Sequence, residues 1–324
     1  MKQRLMRVQI EPTNRCNFRC VNCRRTYWSR PNRNMPLEKF LMVLDQLPPV
    51  SRFHLQGVGE PLLNRDLPKM IRSSKASGAS VGKFTNASLL SRNIAEELLD
   101  SCINRINLSI NSTGPHTFKV LRSGIPFESI VYNIAELAGL RSKIRYPDTE
   151  LALSLVITPQ TLKTLQDIVK PGADLGLDEV YLQNINSEFI PSNNIERELI
   201  HTIDKEIYRK VVHKAGKAAK NAAIRFSAPD LNNQDHTYLC KWPFHGCNIT
   251  WDGFMSPRCL QPDPEVLNFG NLFKEDFEKI WHSKPYRIFR DRVMNDIKPI
   301  CAECPERYGL MWHPAGNPLA IQQP

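Results

Sequence analysis

Val8-Gln9-Ile10-Glu11-Pro12-Thr13-Asn14-Arg15-Cys16-Asn17-Phe18-Arg19-Cys20-Val21-Asn22-Cys23 holds three cysteines in eight residues, directly behind a short strand pattern. Val8–Glu11 alternates apolar and polar side chains, as a strand does. Pro12 ends it, and the cysteines follow in the loop at its C-terminal end. That end is where parallel α/β folds gather their active sites. Three soft thiolates in one short loop can wrap a single iron–sulfur cluster. Four would saturate a cubane; three leave one iron open to an outside ligand. Spacings of four and three also fall on one helix face, so buried core cysteines are another reading. The segment has few apolar residues for a core helix. A zinc site would need a fourth ligand from elsewhere.

Further strand candidates follow at Phe53–Gln56, Ser80–Phe84, Arg105–Ile110, Leu151–Ile157 and Glu179–Leu182. Helical patterns lie between them at Leu37–Gln46, Leu67–Ser77, Ser91–Ser101, Phe127–Leu140 and Leu162–Leu175. This alternation predicts a parallel sheet with right-handed crossovers. Two further strands would be needed for an eight-stranded barrel. Ile195–Asn221 reads as one long polar helix, Lys-rich toward its end, that links two parts. After Phe226 prolines, glycines, aromatics and cysteines dominate, with one helix expected near Phe277–Asn295. Such a unit is held by something other than its own core, which a metal cluster can supply. The expected division is 1–190, 191–229 and 230–324.

The chain has 324 residues, 41% of them hydrophobic, enough for one large α/β domain plus a small appendage. No apolar run approaches a membrane span, and the charged N-terminus lacks the apolar core of a secretory signal. A cytoplasmic protein is expected. Of nine cysteines, all but Cys102 fall in two groups, and clustered cysteines in a reducing compartment read as metal ligands rather than disulfides. The net charge of +10 suits a solubility surface or an anionic substrate. No interleaved aromatic and basic motif is present, so nucleic acid is not an expected partner.

Five cysteines, Cys240, Cys247, Cys259, Cys301 and Cys304, fall in the C-terminal part. A zinc ribbon on Cys301-x2-Cys304 and one other pair is one reading of them. If Cys247 ligates nothing, it is a spare thiol, either an ordinary core residue or a hydrogen donor at the active-site mouth. Cys102 reads as core.

Cys-x3-Cys-x2-Cys after a first strand, with Phe18 before the second cysteine, resembles the radical S-adenosylmethionine (SAM) superfamily. Gln56-Gly57-Val58-Gly59-Glu60-Pro61 resembles that family's Gly-Gly-Glu-Pro element. Thr85-Asn86, Ser109 and Arg122 also match. The resemblance covers roughly residues 6–186 and implies a partial (β/α)6 TIM-type barrel. It implies a SAM-ligated [4Fe–4S] cluster on Cys16, Cys20 and Cys23. Gly57, Gly59, Glu60 and Pro61 would receive the SAM ammonium, Thr85 and Asn86 would support them, and Arg122 would pair with its carboxylate. Ser109 or Asn107 would contact the ribose. Cys240-Lys241-Trp242-Pro243, Ile249-Thr250-Trp251-Asp252-Gly253 and Cys301-x2-Cys304 resemble the SPASM and twitch extensions of these enzymes. That implies an auxiliary [4Fe–4S] cluster on Cys240, Cys259, Cys301 and Cys304. Arg258 departs from the pattern, which usually has a cysteine directly after the proline matched by Pro257, and keeps Cys247 open as a ligand.

The expected activity is reductive SAM cleavage followed by hydrogen-atom abstraction. The first strand begins within ten residues of the start, ahead of any peptide-recognition domain, which favours a small-molecule substrate: a sugar, an aminoglycoside-like compound or a nucleotide-linked one. Dehydrogenation follows if the auxiliary cluster takes an electron, and epimerisation if a thiol such as Cys247 returns a hydrogen. Maturation of a ribosomal peptide by epimerisation or crosslinking is an alternative, and a non-enzymatic iron–sulfur electron carrier is another. A reductant such as flavodoxin or ferredoxin would be the partner.

Overall fold

The computed structural model describes residues 5–20, 23–112, 114–115, 118, 125–143, 148–183, 203–229, 240–257 and 263–295. Its strands are β1 Arg7–Ile10, β2 Arg52–Leu55, β3 Ser80–Thr85, β4 Arg105–Ser109, β5 Glu150–Val156, β6 Glu179–Gln183, β7 Arg225–Ser227, β8 Gly246–Ile249 and β9 Met255–Ser256. They form one sheet in the order β7-β6-β5-β4-β3-β2-β1-β8-β9. All neighbours pair parallel except β9, which returns antiparallel on β8. The sheet is open, with β7 and β9 at its edges.

The six expected strands are present, and the sheet is wider than they predict. β7 extends one edge, and β8 enters beside β1 with Val8 opposite Cys247. The helices are α1 Leu37–Gln46, α2 Leu67–Ala76, α3 Arg92–Asp100, α4 Phe127–Lys143, α5 Pro159–Lys163, α6 Leu165–Asp174, α7 Lys205–Asn221, α8 Trp242–His245, α9 Phe277–Trp281 and α10 Lys284–Asn295. Local chemistry starts several of them. Thr158 and Thr161 form a capping box at α5, and Asp204 accepts the Ile207 N–H at 2.8 Å to cap α7. Part of the segment expected as a linker therefore serves the sheet itself. α7 packs on α6 and leads into β7. Residues 195–202 lie outside the described set.

Parallel strands are usually apolar on both faces. Here the two faces differ. Val8, Ile10, Phe53, Leu55, Val81, Ile106, Leu108, Leu153 and Val180 share one face and are buried. Helices cover that face: at Gly172 of α6 an added Cβ would lie 3.1 Å from Val180 Cγ2. Burying each such side chain stabilises the fold by roughly 1.5–3 kcal/mol.

The other face carries Gln9, His54, Asn107, Ser109, Ser154, Tyr181, Gln183 and Asn248. At the N-terminal ends of its strands an ion-pair lattice forms a floor. Arg105 bonds Glu150 and Glu179 at 2.6 Å each, and Arg225 pairs with Glu150. Chemistry is left to the opposite, C-terminal ends. Between β8 and β9 the chain turns at Gly253, whose φ is +88°; a side chain there would also strike Phe273. Among the described residues no helix is long and apolar enough to cross a membrane.

Candidate active site

Two loops meet at the C-terminal end of β1 and β2. The cysteine loop is fixed before any ligand is considered. Thr13 Oγ1 donates to Asn34 Oδ1 at 2.7 Å, and Asn14 Nδ2 donates to Pro31 O at 2.7 Å. Arg33 N–H returns a bond to Asn14 Oδ1 at 2.7 Å. Arg25 Nε donates to Asn14 O at 2.7 Å, and Thr26 Oγ1 to Cys20 O at 2.8 Å, drawing the Cys23 turn back on the loop.

The second loop carries Gly57, Gly59, Glu60 and Pro61. Glu60 N–H donates to Arg15 O at 2.7 Å, joining it to the cysteine loop. A Cβ at Gly59 would collide with the carbonyl oxygens of Thr13 and Arg15. Only glycine permits that approach. A Cβ at Gly57 would collide with the Glu11 carboxylate.

Glu60 is 2% exposed. Its Oε1 accepts from Thr85 Oγ1 at 2.8 Å and Leu62 N at 3.2 Å, and its Oε2 accepts from Asn86 N at 2.7 Å. Asn86 Nδ2 in turn donates to Asn17 Oδ1 at 3.0 Å and lies 4.0 Å from Cys16 Sγ. Phe18 N–H also points at Cys16 Sγ, at 3.4 Å. Burial pushes the Cys16 thiol up, and the Phe18 N–H and Arg25 oppose the shift. Cys20 and Cys23 are half-buried. Among the described residues no three His, Cys, Asp or Glu side chains converge on a single-ion site; a cubane takes its thiolates on separate corners.

Asn107, 1% exposed, is committed to the floor. Its Oδ1 accepts from Arg105 Nε and Tyr181 OH, both at 3.0 Å, and its Nδ2 donates to Lys83 O at 3.1 Å. Ser109 stands at the C-terminal end of β4 on the polar face. Cys247 is fully buried on the helix-covered face of β8, in register with Val8, and burial pushes its thiol up to about 12. It is turned away from the polar face, which suits an ordinary core residue better than a hydrogen donor at the active-site mouth, because the parallel register with β1 fixes its side. Cys240 is half-buried. Cys102 is exposed, not core, in the left-handed turn after α3. Arg122, Cys259, Cys301 and Cys304 lie outside the described residues.

Glu11 was not anticipated from the sequence. It is fully buried, and accepts N–H groups from Val58 at 3.0 Å and Trp251 at 3.2 Å. Burial holds its carboxyl above the usual range despite both bonds. A glutamate closing the first strand, directly ahead of the cysteine loop, was the available signal. Arg30 was missed as well; it pairs with Asp252 and lies over the Trp28 ring.

Residues 10–170 match the model of the radical SAM superfamily, and residues 240–305 match SPASM, an iron–sulfur cluster-binding domain. A tungsten-containing aldehyde ferredoxin oxidoreductase cofactor-modifying protein from Pyrococcus furiosus is 24% identical over 323 residues, covering 92% of this chain and 86% of its own length. A probable GTP 3',8-cyclase from Methanocaldococcus jannaschii is 27% identical over 271 residues, covering 79% and 85%. Among solved structures, Streptococcus suis SuiB bound to precursor peptide SuiA aligns with a TM-score of 0.69 at 16% identity, over 88% of this chain and 66% of SuiB. anSMEcpe with bound AdoMet aligns at 0.67 and 14%, over 94% and 88%. These two likenesses concern the fold. The chain belongs to the radical SAM superfamily, carries a SPASM iron–sulfur cluster-binding domain, and is an enzyme.

Proposed function

We propose that this enzyme removes a hydrogen atom from a small-molecule substrate, with net dehydrogenation, using a [4Fe–4S] cluster on Cys16, Cys20 and Cys23. The donor set fits such a group: three thiols share one loop, and N–H groups already face Cys16 Sγ. When bound, the cluster supplies the electron that cleaves SAM to a 5′-deoxyadenosyl radical. The protein's part is to bind and orient. Glu60 Oε2 keeps a lone pair for the SAM ammonium, and Thr85 and Asn86 hold that carboxylate in place. Gly57, Gly59 and Pro61 shape the loop around it. Arg122 would pair with the SAM carboxylate. Ser109 suits the ribose better than Asn107, whose amide is engaged elsewhere. The unit at 230–324 would hold an auxiliary cluster on Cys240, Cys259, Cys301 and Cys304, able to take an electron from the substrate radical. The buried orientation of Cys247 favours that outcome over hydrogen return and epimerisation.

One observation carries the reading: a continuous hydrogen-bonded chain runs from Glu60 through Asn86 to Asn17, beside Cys16. An electron carrier has no use for a carboxylate wired to its cluster loop. Two further points support a small substrate. Relatives named for cofactor modification and GTP cyclisation match most of the chain. The polar face also offers neutral amides and hydroxyls near its C-terminal edge, such as Ser154 and Gln183, bonded at 3.0 Å. A reducing cytoplasm and a donor such as flavodoxin or ferredoxin suit this chemistry. Anaerobic incubation with SAM and dithionite tests the assignment. Release of 5′-deoxyadenosine is expected, stimulated by nucleotides or sugars rather than peptides. A reconstituted protein that leaves SAM intact would overturn it.

A further inference from the structure

Between Glu11 and Glu38 the chain carries six arginines, Arg15, Arg19, Arg24, Arg25, Arg30 and Arg33, and no aspartate or glutamate. The same segment holds Cys16, Cys20 and Cys23. Arg30 is turned inward and pairs with Asp252. Arg15, Arg19 and Arg33 are exposed. Arg15, Arg25 and Arg33 are gathered around one residue. Asn14 N–H donates to Arg33 O at 3.2 Å, Arg33 N–H donates to Asn14 Oδ1 at 2.7 Å, and Arg25 Nε donates to Asn14 O at 2.7 Å. Arg15 is the next residue. Arg65 joins them from the loop after β2. The preceding Asn64 donates to Pro12 O at 2.9 Å and to Met35 O at 3.0 Å, against both ends of the arginine-bearing segment. Arg65 is exposed, and Asp66 beside it is paired with Lys69 at 3.1 Å. Among the described residues Arg15, Arg25, Arg33 and Arg65 make no ion pair.

The carboxylates of this region face inward: Glu11 is fully buried and Glu60 is 2% exposed. On the outer side of the cysteine loop every exposed charge is an arginine. What distinguishes this basic patch from an ordinary solvated surface is its position. The three thiols are only half-buried, so a partner seated on their loop comes close to the site of the catalytic cluster. Each SAM cleavage consumes one electron. Electron transfer falls steeply with distance, so a donor must bring its redox group near that site. A small anion is held by donors that converge in a concave site. Here the charges are spread over two loops of an exposed face, which fits a broad protein surface of opposite sign.

We infer that the outer side of the cysteine loop, with Arg15, Arg33 and Arg65 foremost, is the docking surface for an acidic one-electron donor protein. This rests on the SAM-cleaving function proposed above. The transfer moves one electron and makes no bond: the donor is oxidised by one electron and the oxidised [4Fe–4S] cluster is reduced by one. Opposite charge raises the encounter rate, and salt screens it. A second basic surface supplies an internal control. Lys210, Lys214 and Lys217 are exposed on α7, which packs beside β7 at the sheet edge, with β2 to β6 between it and β1.

The test uses the anaerobically reconstituted full chain, with a flavodoxin and a ferredoxin, both acidic, as probes. Arg33→Gln with Arg65→Gln removes two charges from the loop surface, and Arg33→Lys with Arg65→Lys keeps them. Lys210→Gln with Lys214→Gln removes two from α7. The described hydrogen bonds of Arg33 all run from its backbone, so changing its side chain breaks none of them. Isothermal titration calorimetry at low ionic strength reads binding of the oxidised carrier, and release of 5′-deoxyadenosine reads delivery of the electron. The loop glutamine pair should weaken binding and slow carrier-driven release by roughly three- to tenfold. The lysine pair and the α7 pair should match wild type. The difference should vanish at about 1 M salt, where the screening length is about 3 Å. Iron content and dithionite-driven release should be the same in all variants. Equal losses in the loop and α7 glutamine pairs would overturn the inference, because net charge alone would then steer the donor. Unchanged binding and rates in the loop pair would also overturn it and leave the arginines to another polyanion, such as nucleic acid. Slower dithionite-driven release in the loop pair would give Arg33 and Arg65 a structural role in its place. A wild type that cleaves SAM with dithionite but binds neither carrier would overturn this inference alone. A wild type that leaves SAM intact with every reductant would overturn the proposed function, and this inference with it.

Discussion

Lys83 puts an ammonium on the apolar face of β3, in register with Ile106 and away from the polar side of the sheet. It is 0% exposed, and its Nζ has no hydrogen-bond partner among the described residues. Burial lowers its pKa to about 8, with the Glu60 carboxylate opposing the shift. The unfolded chain keeps this proton to about pH 10.4. Between those values the unfolded state binds more protons, so stability rises with pH across that window. Lys83→Met should abolish the rise and add about 3 kcal/mol at neutral pH, because each tenfold loss of proton affinity on folding costs about 1.4 kcal/mol. Denaturation at pH 7, 8, 9 and 10 checks this; an unaltered pH profile would acquit the ammonium. The sequence shows a lysine in a strand and nothing more. Only the register reveals which side it faces, because a slip of one residue would have put it among the polar groups. At the same scale, Glu60→Ala should weaken SAM binding about ten- to a hundredfold, the worth of a charge-assisted bond of roughly 1.5–3 kcal/mol. Iron content should hold, and equilibrium binding of SAM alongside iron analysis reads both.

At the scale of elements, β1 organises the loops that follow its two neighbours. Glu11 at its end accepts one N–H from the loop after β2 and one from the turn after β8. An amide has one acceptor oxygen where the carboxylate has two, so Glu11→Gln leaves a buried N–H unpaired. That costs about 1–3 kcal/mol. Urea denaturation should show the loss at unchanged iron content, and a midpoint equal to wild type would mean that water or a neighbour replaces the bond. This element also shows what could be read in advance. The cysteine loop and the Gly57–Pro61 loop are local motifs, and each was legible because its spacing is its signal. The first six strands were legible from their length and alternation. β8 was not: Gly246-Cys247-Asn248-Ile249 is too short for a period, and it enters the sheet through backbone pairing that any sequence can make. β7, three residues long, escaped for the same reason. The contacts Glu11–Trp251 and Arg30–Asp252 join residues 240 and 222 positions apart, and nothing local announces them.

For the molecule as a whole, the first cysteine loop and Cys240 sit on separate supports, and this decides what happens when one is removed. The cysteine loop is held by protein bonds independent of metal: Thr13 to Asn34, Asn14 to Pro31 and Arg33, and Glu60 to Arg15. Cys240 lies ahead of α8 and β8, which are tied to the sheet through β1 and to α10 through Arg290. Removing the thiols of the first group breaks none of these bonds. Cys16, Cys20 and Cys23 replaced together by alanine should therefore leave a folded protein with about four of eight irons. Its auxiliary signal should titrate as in wild type, and it should release no 5′-deoxyadenosine. Cys247→Ala probes the opposite case, a thiol inside the packed face. It should retain all the iron and normal turnover, with a stability loss of about 1 kcal/mol, typical of a core truncation. Iron analysis separates the two variants cleanly. Full iron in the triple variant would remove those cysteines from the cluster site. Lost iron in Cys247→Ala would make Cys247 a ligand, and one of Cys240, Cys259, Cys301 and Cys304 would then be the spare thiol.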